Sequence, residues 1–89
     1  MTRIVITGAC GKMGRVINDI VNTRDDCEIT AGIDIAGEQY AEFPVYKKLF
    51  DLPEKPDVII DFSHPSLLDE LLDYCKINNV PVVIATTGY

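Results

Sequence analysis

No stretch of this 89-residue chain approaches the ~20 consecutive apolar residues that a membrane-spanning helix needs. No charged and apolar leader precedes its first apolar segment, so no export signal is expected. Clustered basic charge is also missing: 8 Lys and Arg stand against 14 Asp and Glu, for a formal net charge of −6. Phosphate backbones and anionic bilayers are bound through grouped cations, so neither nucleic acid nor membrane is an expected partner. Cysteine is scarce, at 3 residues (Cys10, Cys27, Cys75), odd in number and without a Cys-x-x-Cys pair. That count argues against a disulfide framework and against a zinc centre, and it fits a reducing, cytoplasmic compartment; no metal site is expected. There is no internal repeat, low-complexity tract or linker, and the length permits one small domain at most.

What the chain does contain is a glycine-spaced turn. Arg3-Ile-Val-Ile-Thr-Gly-Ala-Cys-Gly-Lys-Met-Gly14 reads as a buried strand running into a tight loop and then into a helix. Such a loop gathers main-chain N–H groups at a helix N-terminus, where an anionic phosphate bridge is stabilised by the backbone itself. Gly8 is expected to allow the turn, Gly11 the approach of a pyrophosphate, and Gly14 close packing of the helix. Glycine-rich turns are common, so the context carries the weight. Asp34 lies 20 positions beyond Gly14, at the end of a second apolar run, Glu28–Ile33. A carboxylate there accepts hydrogen bonds from adenosine ribose hydroxyls, and that role is preferred over a mere strand-ending Asp. It also repels a 2′-phosphate, and the next residue, Ile35, carries no offsetting charge. The expectation therefore tilts to NAD over NADP, with Lys12 and Arg15 as cations on the loop side. Cys10 inside the loop has no base beside it in sequence and is read as a tolerated small residue rather than a nucleophile.

Periodicity places the remaining elements. Met13, Val16, Ile17, Ile20 and Val21 form one apolar stripe, predicting a helix from about Lys12 to Thr23. A short strand is expected near Pro44–Tyr46 and a helical turn around Leu49–Leu52. Asp57-Val-Ile-Ile-Asp61 has the continuous apolar character of a doubly covered parallel strand. A second helix is expected from Pro65 or Ser66 to Ile77, with Leu67, Leu68, Leu71, Leu72 and Cys75 buried and Ser63 or Ser66 as cap. Val80–Ala85 is the last strand. Right-handed crossovers then give an α/β, Rossmann-like open parallel sheet with helices on both faces. Chemistry in such a sheet belongs to the loops at the carboxyl ends of the strands. Three are distinctive here: the glycine loop, Asp61-Phe-Ser-His-Pro65 and Ala85-Thr-Thr-Gly88.

Taken together, Gly8–Gly14, Gly32-Ile-Asp34, Asp57-Val-Ile-Ile-Asp-Phe-Ser-His-Pro65 and Pro81-Val-Val-Ile-Ala-Thr-Thr-Gly-Tyr89 resemble the dihydrodipicolinate reductase (4-hydroxy-tetrahydrodipicolinate reductase) family of lysine and diaminopimelate biosynthesis. The resemblance runs in register along essentially the whole chain. It implies the NADH- or NADPH-binding N-terminal domain of a cytoplasmic oxidoreductase, usually tetrameric, whose separate C-terminal domain holds a small dicarboxylate substrate. It also implies cofactor contacts at Gly8, Ala9, Cys10, Gly11, Lys12 and Met13 for the pyrophosphate and at Asp34 for the ribose. Phe62 matches a position beside the cofactor, and Ala85, Thr86 and Thr87 match the nicotinamide end. Many members carry Gly where this chain has Ala85.

The family's catalytic run, His-His-x-x-Lys-x-Asp-x-Pro-Ser-Gly-Thr, is not found in these 89 residues. The single histidine, His64, matches a cofactor-side turn, so no catalytic residue is expected in this chain. Residues 1–89 then read as one incomplete dinucleotide-binding domain without its substrate domain, inactive alone. Two rivals remain. One is an extended short-chain dehydrogenase or NAD-dependent epimerase, which Thr7-Gly-x-x-Gly-x-x-Gly14 fits, although none of Tyr40, Tyr46 and Tyr74 has Lys four residues on. The other is a non-catalytic nucleotide- or coenzyme A-binding module.

Overall fold

The computed structural model describes residues 1–36 and 38–85. Strands β1 (Thr2–Thr7), β2 (Cys27–Ile33), β3 (Val45–Tyr46), β4 (Val58–Asp61) and β5 (Val82–Ile84) alternate with helices α1 (Lys12–Val21) and α2 (Leu68–Asn78). Single 3₁₀ turns occupy Leu49–Asp51 and Pro65–Leu67. All strand pairs are parallel, in the order β3-β2-β1-β4-β5. This is the open parallel sheet that the apolar runs predict, and the chain reverses its winding direction between β1 and β4.

β1 is the centre, and its alternation divides the core. Val5 packs with Ala31, Ile33, Leu49, Ile59, Leu71, Tyr74 and Cys75 on the α2 face. Ile4 and Ile6 pack with Ala9, Val21 and Phe43, and with half-buried Ile17, on the α1 face. Ile6 and Ile59 are fully buried, each worth about 1.5–3 kcal/mol in area removed from water. β2 serves both layers through an irregularity: Ile4 pairs with Ile29, but Val5 pairs with Ala31. The extra residue, Thr30, shifts the alternation, so Ile29 faces α1 while Ala31 and Ile33 face α2.

Both helices bury a narrower line than their sequence stripes predict. In α1, Gly14 and Val21 are buried and Ile17 is half-buried, while Met13, Val16 and Ile20 remain exposed. The reason lies at Gly14, where a β-carbon would collide with the Ala9 backbone. Closest approach there makes the Gly14–Ile17–Val21 line the inward one, and α1 ends two residues earlier than expected. In α2 the buried residues are Leu71, Tyr74 and Cys75, with Leu67 and Leu72 exposed. The 3₁₀ turn at Pro65–Leu67 winds three residues per turn, which shifts the phase ahead of the α-helix and brings Tyr74 inward. Neither Ser63 nor Ser66 caps α2 by its side chain. Asn79 closes the helix in the left-handed region, φ 57°, as its short amide side chain tolerates.

Candidate functional site

The β1–α1 loop is held from within. Gly8 takes φ +69°. The Gly8 and Ala9 N–H groups both donate to the Ile33 carbonyl, at 2.7 and 3.2 Å, and Gly11 N–H donates to the Gly8 carbonyl at 3.1 Å. Cys10 N–H donates to Asp34 Oδ2 at 2.9 Å. Four loop amides are therefore committed to the protein. Among the described residues, the N–H groups of Lys12, Met13 and Gly14 meet no acceptor, since Gly11 caps α1 without a side chain and the first turn holds no acidic residue. Donors open to an anion thus lie at the start of α1, one step beyond the glycine turn, at the positive end of the helix dipole.

Asp34 stands directly after β2, beside this loop. Besides Cys10 N–H, its carboxylate accepts Ala36 N–H at 3.0 Å through Oδ1. Each oxygen takes one amide, which fixes the carboxylate and leaves lone pairs for further donors. A cleft of about 280 Å³ opens beside it. Gly8, Gly11, Asp34 and Ile35 line one part of it, Phe62, Ser63 and His64 another, and Leu49, Leu67 and Leu71 give it an apolar floor. The arrangement offers donors to an anion at a helix start, an oriented carboxylate that can accept from hydroxyls, and an apolar slot between the β2 and β4 loops.

Asp61, which the sequence presents only as a strand end, is fully buried. It accepts hydrogen bonds from Thr7 Oγ1, from Ser63 Oγ, and from Ser63 N–H at 3.0 Å. Its carbonyl accepts Ala85 N–H at 2.9 Å, and Phe62 N–H donates to the Thr7 carbonyl at 3.0 Å. One residue therefore ties the ends of β1, β4 and β5 together. Burial and, second to it, the Asp61 charge push the Cys75 thiol pKa up, which keeps that thiol protonated beneath the knot. The available signal was the pairing of Thr7 with Asp61 at matching strand ends, visible only once the register is known.

The expected site residues divide. Gly8, Gly11, Asp34 and Phe62 line the cleft. Ala9 is buried behind it, and Cys10 points its thiol at the Glu38 carbonyl, 3.2 Å away. Lys12 and Met13 sit exposed at the start of α1, outside the cleft lining. Ala85 is exposed at the end of β5, and Thr86 and Thr87 lie outside the described residues. Arg15 is drawn elsewhere: its guanidinium lies 4.2 Å from the centre of the Tyr40 ring, and its Nε donates to the Cys10 carbonyl at 3.4 Å. His64 Nδ1 accepts Ser66 N–H at 3.1 Å and contacts Ser66 Oγ at 2.9 Å. Lys47 and Glu70 also line the cleft and were missed, because neither belongs to a motif. Among the described residues, no group of three His, Cys, Asp or Glu side chains is placed to hold a metal, and no helix is long and apolar enough to cross a membrane.

Comparison with known proteins shows the family of the chain. The family described as dihydrodipicolinate reductase, N-terminus, matches residues 2–89. The 4-hydroxy-tetrahydrodipicolinate reductase of Clostridium novyi is 42% identical over 89 residues, covering all of this chain and 35% of that protein. The enzyme of the same name from Caldanaerobacter subterraneus is 39% identical over 88 residues, again covering 35% of its length. Among solved structures, a dipicolinate-bound dihydrodipicolinate reductase from Paenisporosarcina matches all of this chain and 38% of its own, at TM-score 0.83 and 33% identity. A dehydrogenase from Chromobacterium violaceum, 16% identical with TM-score 0.75, shares the fold. The chain thus spans about a third of the length of the curated relatives it matches, 35% in each of these two cases.

Proposed function

This chain belongs to the dihydrodipicolinate reductase family, as its N-terminal part, and on that premise we propose that it forms the cofactor-holding portion of an NAD(P)H-dependent reductase acting on a cyclic dicarboxylate in lysine and diaminopimelate synthesis. The observation that carries the reading is the convergence of the free amides of Lys12–Gly14, the oriented Asp34 carboxylate and the cleft between the β2 and β4 loops. In this reading the amides and the positive end of α1 receive the pyrophosphate, with Gly8 to Met13 forming its bed. Asp34 accepts the adenosine ribose hydroxyls, which suits NADH. Phe62 and Ile35 supply apolar walls, and by the resemblance Ala85, Thr86 and Thr87 match the positions at the nicotinamide end. When bound, the cofactor supplies a hydride; the chain's own part is to bind, orient and exclude water.

The substrate domain and the proton donor belong, in this proposal, to the longer protein, and residues 1–89 alone do not reduce substrate. A cytoplasmic location and a tetrameric assembly of the whole enzyme follow from the resemblance. The family match along residues 2–89 favours this reading over an epimerase or a coenzyme A module. Calorimetric titration of the 89-residue chain with NADH and with coenzyme A tests it: NADH binds, and coenzyme A does not. Because Asp34 also orients Cys10 and Ala36, Asp34→Asn is a cleaner variant than Asp34→Ala. It should weaken NADH binding about tenfold, the worth of a charge-assisted hydrogen bond, and lower the melting temperature less than Asp34→Ala does, because the Asn oxygen still accepts one of the two amides. A melting loss as large as the affinity loss would assign Asp34 to folding instead.

A further inference from the structure

We infer that Lys47 is a specificity-determining residue which supplies the positive charge that meets the 2′-phosphate of NADPH. This rests on the cofactor reading above. Sequence adjacency points the other way, since the residue after Asp34 is the uncharged Ile35. The sheet brings in a cation from a different segment. β3 pairs with β2 in parallel, Gly32 with Val45 and Ile33 with Tyr46. Asp34 N–H continues that ladder by donating to the Tyr46 carbonyl at 2.9 Å. One further step of register sets Lys47 beside Asp34, on strands whose backbones run about 4.8 Å apart. Both residues line the same cleft, together with Ile35.

The charge of Lys47 is also uncommitted. Among the described residues it forms no ion pair, although Asp34 is its neighbour. The loop-side alternatives are less available: Arg15 is stacked on Tyr40 and bonded to the Cys10 carbonyl, and Lys12 lies outside the cleft lining. The Asp34 charge that would repel a 2′-phosphate is itself shared with two amide donors, from Cys10 and Ala36. Glu70, the other carboxylate lining the cleft, enters from α2 rather than from the β2–β3 edge. An exposed ammonium on a flexible stem beside the ribose carboxylate can meet a phosphate when one is present and stay hydrated when only a hydroxyl is there.

The test is a pair of calorimetric titrations, NADPH and NADH, on the wild-type chain, Lys47→Gln and Lys47→Arg, each at low and at moderate salt. Lys47→Gln should weaken NADPH about tenfold, as expected for loss of one charge-assisted contact, and leave NADH within about twofold. Lys47→Arg should restore NADPH binding, and added salt should weaken NADPH more than NADH in the wild type but not in Lys47→Gln. Retained NADH binding by the variants shows that they are folded. If both nucleotides bind the wild type and Lys47→Gln leaves their affinity ratio unchanged, Lys47 does not read the phosphate and the inference falls while the cofactor site stands. If neither nucleotide binds the wild type, the cofactor reading itself fails and takes this inference with it.

Discussion

At Gly8 the backbone takes φ +69°, and a β-carbon built there meets the Phe62 carbonyl oxygen at 2.7 Å. Both features bear on function, because the Phe62 carbonyl belongs to the β4 loop, which meets the β1 loop at the cleft. Gly8→Ala adds backbone strain and a collision that only a shift of the β4 loop relieves. It should cost about 3 kcal/mol, read as a lower urea midpoint with an unchanged slope. Gly11→Ala is the control: its added carbon would lie 3.2 Å from the Gly8 carbonyl at negative φ, so it should cost less stability. The sequence singles out Gly8 for the tight turn and Gly14 for close packing of the helix, and at both positions the structure leaves no room for side chains. It does not say what excludes them, the β4 loop for one and the Ala9 backbone for the other.

At the level of elements, the central pair β1–β4 is fastened at both ends by aspartates. At the carboxyl end Asp61 binds Thr7 and Ser63. At the amino end Asp57 Oδ2 accepts Arg3 N–H at 2.8 Å, while Asp57 N–H returns to the Arg3 carbonyl at 2.9 Å. The Arg3 main-chain N–H, and then the Arg3 guanidinium, hold the Asp57 carboxyl below its ordinary value of 3.8. A carboxyl whose folded pKa is depressed adds stability that is fully present above the unfolded pKa and lost as pH falls through the folded one. Asp57→Asn should therefore melt below wild type at neutral pH, and the gap should close as the pH is taken below 3.8. A gap that persists undiminished in acid would mean the carboxylate charge is not what clasps the strands. Strand existence is legible from the apolar runs, but these fastenings join residues 54 positions apart and follow only from strand order.

On the scale of the whole molecule, a net charge of −6 accompanies a surface with several large apolar side chains. Val83 and Ile84 on β5 are 57% and 43% exposed, which leaves an apolar strand at one side of the sheet. On α1 the exposed face of Met13, Val16 and Ile20 adds a second such patch. Among the described residues β5 forms an edge of the sheet, and open edges and apolar patches of this kind drive association. The 89-residue chain should therefore sediment as a concentration-dependent mixture, and Val83→Lys should shift it toward monomer. A single concentration-independent monomer in the wild type would show that β5 does not drive pairing.

By itself, the sequence determined the element order, the parallel open sheet, the glycine turn and the carboxylate after β2. Each of these is encoded locally, by backbone freedom at glycine, by apolar periodicity, or by spacing within one strand–helix–strand unit. Only the tertiary structure decided which amides stay free, since Ile33 and Asp34 claim the loop N–H groups from across the sheet. It likewise decided that Thr30 turns β2 from one core layer to the other, and that Lys47, 13 positions beyond Asp34, stands next to it. Register between strands is a non-local quantity, set by how two faces of side chains pack at once, and one residue's neighbours in the chain do not contain it.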